Sequence, residues 1–96
     1  MTTDYVPIDY DQHSVLELLA MRRTRVIVES RQPEGNVSVV EGVVSDVLTR
    51  EGAEYLILRD PAGEGFSIRL DRLLSLSGPQ GGAIWRQKTV STKQAK

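Results

Sequence analysis

The only histidine of the chain, His13, lies in an acidic stretch close to Asp9 and Asp11. An imidazole beside carboxylates could act as a general base or hold a metal ion. Such a group is more often a set of solvated side chains before a helix, and the sequence has no nucleophile motif, phosphate-binding loop or metal-ligand spacing. Cysteine is absent, which excludes disulfides and thiolate metal sites. The residues therefore predict a protein that is not an enzyme and has no cofactor and no metal site.

Charge is distributed unevenly along the chain, although the net charge is only −1. Residues 1–20 carry four acidic side chains and no Lys or Arg, whereas residues 61–96 carry six Lys or Arg against two acidic residues. An acidic surface favours a basic partner, and a general nucleic-acid-binding protein is usually basic overall. The alternative, to which we give equal weight, is that both ends are simply solvated.

Length and hydropathy predict one globular domain. The 96 residues are enough for a single modest core, and no apolar run approaches the roughly 18 residues of a membrane span. No signal peptide is recognisable at the N-terminus, and the absence of cysteine fits a reducing compartment. We expect a single domain over residues 1–90, a disordered tail over residues 91–96, no membrane association and a cytoplasmic location.

A capping-box pattern, Ser14 followed by Glu17, predicts the start of a short helix. In this motif the serine oxygen accepts a hydrogen bond from the glutamate amide, and the carboxylate accepts one from the serine amide. The helix should run over residues 15–22 with Leu16 facing inward. Because a helix of about two turns is not stable alone, we expect it to lie on a sheet.

The segments that follow this helix predict strands, most of them by alternating apolar and polar residues. Residues 55–58 are instead apolar at both parities, as in a strand covered on both faces. The segments cover residues 24–30, 37–48, 54–59, 66–70 and 74–77, and residues 83–90 could add an edge strand. Gly42 in the middle of the long second segment should mark a bend, and Asp71 and Arg72 form a connection too short for an ordinary hairpin. Trp85 could be an interaction hot spot or an anchor of the edge strand, and we favour the anchor.

This pattern predicts a mainly β fold with one short N-terminal helix, a small bent five-stranded barrel that resembles the Sm-like fold. Residues 42–46 and the segment from Ile68 to Leu76 resemble its two sequence motifs. Sm-like rings hold RNA with an aspartate and an asparagine after the second strand, whereas residues 46–54 contain Asp46 but no asparagine and two added acids. Basic grooves and stacking surfaces are also missing from this loop. We therefore expect a monomer without direct nucleic-acid binding.

Five short stretches, in a fixed order and spacing, carry a more specific resemblance: Asp4-Tyr5-Val6-Pro7-Ile8, Leu16-Glu17-Leu18, Ser45-Asp46-Val47, Glu54-Tyr55-Leu56 and Arg69-Leu70-Asp71-Arg72-Leu73. Over about residues 4–80 the chain resembles the Rof family, small inhibitors of Rho-dependent transcription termination. The resemblance implies antitermination by direct binding to the primary RNA site of the Rho hexamer, so that RNA no longer loads. The alternative is an Sm-like RNA-binding or protein-interaction module with a different partner.

The resemblance and the acidic N-terminal region together predict the side chains that would contact Rho: Asp9, Asp11 and Glu17 as partners of basic residues, His13 and Ser14 at the edge of the contact, and Asp46 as an outlying acid. A phosphate-binding surface is lined with Lys and Arg, so an acidic surface can compete for it with salt-sensitive association. Structural roles are the alternatives. Glu17 and Ser14 could serve only the capping box, and for Asp46 we favour a bond to backbone amides at a strand end.

Overall fold

The computed structural model describes residues 8–87, which contain one α-helix, six strands and one short 3-10 helix. The elements are α1 Tyr10–Met21, β1 Arg25–Arg31, β2 Val37–Arg50, β3 Ala53–Arg59, β4 Gly65–Arg69, the 3-10 turn Leu70–Arg72, β5 Leu73–Ser77 and β6 Ala83–Arg86. The predictions for the arm before residue 8, for the end of the last strand and for the 91–96 tail lie outside the described residues. No helix in the described range is long and apolar enough to cross a membrane.

The six strands form one antiparallel sheet in the order β4-β3-β2-β1-β5-β6. The prediction of a mainly β fold with one helix near the N-terminus is confirmed. Two details differ from the expected five-stranded barrel, because the sheet is not closed and a sixth strand is present. Strand β6 pairs with β5 through Leu76 and Trp85, so the edge of β5 is covered and β4 and β6 remain as the two edges.

Strand β2 is the longest element, with 14 residues, and bends between two partners. Its first half pairs with β1 and its second half with β3. At the change of partner, a Cβ on Gly42 would lie 2.8 Å from the carbonyl oxygen of Arg59, so only glycine fits without a backbone shift. The β3 register shifts between Val44 and Asp46, which makes Ser45 the extra residue of a bulge. The glycine in mid-strand is thus required by a close backbone approach where β2 changes partner.

The short connection after β4 is a single 3-10 turn, Leu70–Arg72, with Leu70 completely buried. Two hydrogen bonds from Arg69 to Asp71 clamp it, Nε to Oδ1 at 2.7 Å and Nη2 to Oδ2 at 3.1 Å. The Gln87 amide donates to the carbonyls of Leu70 and Leu73 at 3.1 and 3.0 Å. The turn carries the chain from the β3 side of the sheet to the β1 side, as its length predicted.

The core lies between α1 and the concave side of the bent sheet. Its buried side chains are Leu16, Leu19, Ala20, Val26, Val28, Val44, Leu56, Leu58, Leu70, Leu73, Leu76 and Trp85. Full burial of one leucine side chain contributes about 1.5–3 kcal/mol to the stability of the fold, relative to leaving that side chain in water. Trp85 is 4% exposed, and its indole nitrogen donates to the carbonyl oxygen of Gln12 at 2.9 Å. The tryptophan is therefore an anchor that joins β6 to α1, as favoured from the sequence.

The predicted start of the helix is wrong. Helix α1 begins at Tyr10 after the N-cap residue Asp9, which makes no side-chain cap bond, and Ser14 lies in the helix interior. The His13 amide donates to the Asp9 carbonyl at 2.9 Å, so the helical ladder is already established one turn before Ser14. Contacts of Gln12 and His13 with the strands stabilise this additional turn, and short-range capping signals carry no information about such contacts.

Candidate functional site

Helix α1 lies across the sheet with one face buried and the opposite face in solvent. Leu16, Leu19 and Ala20 pack into the core, whereas Tyr10 and Met21 are 80% and 76% exposed. Successive helical residues are about 100° apart, so residues four apart share a side of the helix. His13 and Glu17 consequently occupy one flank, beside the second half of β2 and the start of β3.

His13 lies between two carboxylates. Its Nδ1 is 3.6 Å from Oε2 of Glu17 on the next helical turn, and its Nε2 is 3.1 Å from Oε2 of Glu54 on β3. The imidazole is 19% exposed, Glu54 28% and Glu17 60%. The histidine thus bridges helix and sheet and holds the two carboxylates on the same surface.

An open groove of about 540 Å³ continues this surface between α1 and β2. It is lined by Glu17, Ala20, Met21, Arg23, Ser45, Asp46 and Val47. Asp46 is exposed at the bulge, where one of its carboxylate oxygens accepts a hydrogen bond from the Val47 amide at 2.8 Å. This bond is the structural role favoured for Asp46, and it leaves the second carboxylate oxygen for other contacts. We call His13, Glu17, Asp46 and Glu54 the acidic face.

Glu17 is the residue common to both openings on the acidic face. It lines the groove with Asp46 and also a recess of about 380 Å³ formed with Ile8, Tyr10, His13 and Glu54. Both openings combine carboxylates with exposed apolar side chains at their rims, Met21 at one and Tyr10 at the other. Such a surface can accept Lys or Arg side chains and cover their aliphatic stems.

The other predicted side chains lie at a different place on the helix. Asp9 and Asp11 are exposed at its N-terminus. Six residues separate Asp11 from Glu17, which places them about 120° apart around the helix axis. Ser14 is partly buried and lies three residues before Glu17, about 60° from it around the helix axis. The structure therefore brings together three of the six predicted residues, His13, Glu17 and Asp46.

Glu54 is the member of the acidic face that sequence reasoning missed. It was noted only as an added acid in the loop after β2. The register of the β2–β3 hairpin pairs it with Thr49, and the extra first turn of α1 brings His13 over it. The period of two in β3 places Glu54 on the face of Leu56 and Leu58, which pack with Leu16 of α1 in the core. Within residues 8–87 no group of His, Asp or Glu side chains has the geometry to hold a metal ion.

No family model matches the chain. Two curated relatives, both named Protein rof, are similar to it, one from Escherichia coli strain K12 and one from Shigella flexneri. Each is 31% identical over 84 residues, which is 88% of this chain and 94% of the relative. The similarity covers most of this chain and of each relative, so it must include most of the fold described above.

Proposed function

Because the chain belongs to the Rof family, we propose that it inhibits Rho-dependent transcription termination by binding the primary RNA-binding region of Rho. The observation that carries this proposal is the acidic face, on which Glu17, Asp46 and Glu54 converge from three elements of the fold. The partner surface is one that binds RNA phosphates and is therefore rich in Lys and Arg.

Competition follows from charge complementarity. A guanidinium that pairs with a carboxylate of the acidic face cannot hold an RNA phosphate at the same time, because both ligands use the same N–H donors. Opposite potentials also accelerate encounter, and salt weakens this attraction. Inhibition by this route requires no covalent bond to be made or broken. We therefore propose a binding protein without catalytic residues or cofactors.

The acidic face is fixed before the partner arrives. Glu17 lies on a helix anchored by Leu16, and Glu54 is held near the hairpin turn by its pairing with Thr49. Asp46 lies at a bulge closed by a 3.4 Å bond from the Ser45 hydroxyl to the Ile57 carbonyl. A preorganised surface loses little conformational entropy on binding. We propose that the chain acts in this form as a cytoplasmic monomer.

Displacement of RNA from Rho tests the proposal. A fluorescently labelled cytidine-rich RNA is bound to purified Rho, and its anisotropy is followed as the full chain is added at two salt concentrations. We expect the anisotropy to fall, and a higher chain concentration to be needed at the higher salt. If the anisotropy stays constant at both salts while unlabelled RNA still displaces the probe, the proposal is wrong.

A further inference from the structure

A second groove lies on the part of the fold where the 3-10 turn joins β4 to β5. It has a volume of about 310 Å³ and is lined by Ser30, Arg31, Gln32, Tyr55, Ser67, Ile68, Arg69 and Arg72. Three of these side chains are arginines, and none is acidic. We call it the basic groove; it shares no residue with the acidic face.

Strand pairing explains why the groove exists. Tyr55 of β3 is opposite Arg69 of β4, and Ser30 of β1 is opposite Leu73 of β5. Because β4 and β5 pair with different neighbours, the turn between them crosses an opening in the sheet. The β5 register also shifts between Glu29 and Ser30, and such irregularities often occur beside binding sites because they redirect side chains.

Ser30 carries a buried hydroxyl that has no hydrogen-bond partner among residues 8–87. The residue is 3% exposed and makes no side-chain hydrogen bond within residues 8–87. The other buried polar side chain of this range, Ser75, donates its hydroxyl to Glu29 at 3.2 Å. Buried polar groups are almost always hydrogen-bonded, so the Ser30 hydroxyl at the wall of the groove is a donor available to a ligand atom.

The arginines of the groove differ in how much of their charge is compensated. Arg69 is neutralised by its two bonds to Asp71, and Arg31 donates one bond to the carbonyl of Gly35 at 3.2 Å. Arg72 is partly buried and has neither a hydrogen bond nor an ion pair within the described part of the chain. The groove therefore carries uncompensated positive charge beside a hydroxyl donor.

We propose that the basic groove binds the phosphate group of a small phosphate ester. The guanidinium of Arg72 matches two phosphate oxygens, and Ser30 supplies a further donor. The volume is at the lower end for small-molecule sites, which suits one phosphate with a compact substituent rather than a nucleic-acid strand. The bonds that Arg69 and Gln87 make around the turn hold Arg72 in place before binding.

Titration of the full chain tests this site. Orthophosphate and adenosine 5′-monophosphate are added separately, and binding is followed by calorimetry and by the amide resonances of residues 30 and 72. We expect both resonances to shift, with the monophosphate binding more tightly if the ligand is an ester and equally if it is free phosphate. Arg72→Gln should weaken binding about tenfold, and Ser30→Ala should also weaken it, whereas Arg22→Gln, at the C-cap of α1, should have no effect.

Thermal melts of each variant establish that loss of binding is not loss of fold. The proposal is overturned if neither compound binds at millimolar concentration, or if Arg72→Gln and Ser30→Ala bind as tightly as the unchanged chain. A 5′-phosphorylated oligonucleotide that binds far more tightly than the monophosphate, through Arg72, would replace the small ester by RNA and so overturn the stated ligand class.

Discussion

Glu17 occupies the centre of the acidic face because it borders both of its openings. Its carboxylate is exposed and is 3.6 Å from Nδ1 of His13, so it is oriented without being covered. Asp46 and Glu54 lie on either side of it, and a basic side chain entering either opening meets Glu17 and one further carboxylate. By contrast, Asp11 faces another side of α1. The two acids predicted to act together therefore have different environments.

Charge reversal separates their contributions to the proposed binding of Rho. We expect Glu17→Lys to weaken displacement of RNA from Rho about tenfold or more, because one attraction becomes a repulsion among neighbouring contacts. Asp11→Lys alone should have a smaller effect, and the double variant should lose binding. Glu34→Lys, in the exposed β1–β2 turn, is the control with the same change in net charge. Equal effects of Glu17→Lys and Glu34→Lys would show that only net charge matters and would contradict the proposed surface.

At the scale of single residues, the sequence predicts which side chains belong to the acidic face better than it predicts which residues surround them. Glu17 and His13 stand four apart, so their contact follows from helical geometry alone. The contact of His13 with Glu54, and the groove that Glu17 shares with Asp46, depend on where the helix crosses the sheet. That crossing is set by the burial of Leu16 and by the bond between Trp85 and Gln12, which no local pattern encodes.

At the scale of the elements, the acidic face depends on the way β2 turns from one partner strand to the next. One half of the strand pairs with β1, and the other half presents Asp46 beneath α1. Gly42 permits the close approach of the Arg59 carbonyl at the bend. A side chain at this position would separate β2 from the backbone of β3, and the shift would reach both the core and the groove beside Asp46.

Substitution of this glycine should be costly. In Gly42→Ala the new methyl group would lie 2.8 Å from a backbone oxygen, and we expect a loss of about 1–3 kcal/mol in the free energy of unfolding. Gly65→Ala is the matched control, since its Cβ would approach nothing closer than 3.6 Å, at the end of the Arg59 side chain; its effect should stay within about 0.5 kcal/mol. Urea unfolding measures both, and equal stabilities would disprove the steric role of Gly42.

Strands were easier to predict than the helix start. Alternation located β1, β4, β5 and most of β2, because one face of each strand meets the core and the pattern repeats every two residues. The apolar run of residues 55–58 located β3. The Ser14–Glu17 pair satisfies the rule for a helix start, but the contacts of Gln12 and His13 with the strands extend the helix back to Tyr10. Local capping energies of about 1 kcal/mol are smaller than such tertiary contributions.

The whole molecule separates two surfaces of opposite charge. The acidic face lies where α1 covers β2 and β3, and the basic groove lies at the opening between β4 and β5. The net charge of −1 gives no sign of this arrangement. The sequence indicates an acidic N-terminal region but not the basic groove. The arginines of the basic groove come from separate strands and from the turn, so they become neighbours only through the order of strands in the sheet.

The same strand order determines how copies of the chain could associate. Six strands form an open sheet, so copies could in principle join through the edges β4 and β6. Within residues 8–87 both edges are short, five and four residues, and β6 is held to its own chain by buried Trp85. Short edge strands give few hydrogen bonds for pairing between copies and so disfavour it.

We therefore expect the full chain to remain a monomer. Sedimentation equilibrium at micromolar and near-millimolar concentrations should give the mass of one chain throughout, because neither edge can replace solvent hydrogen bonds with a long ladder. Trp85→Ala releases the anchor of β6 and exposes the edge of β5, so this variant should be the first to self-associate as concentration rises. A stable ring formed by the unchanged chain would contradict the argument, and would mean that edge length does not limit association in this fold.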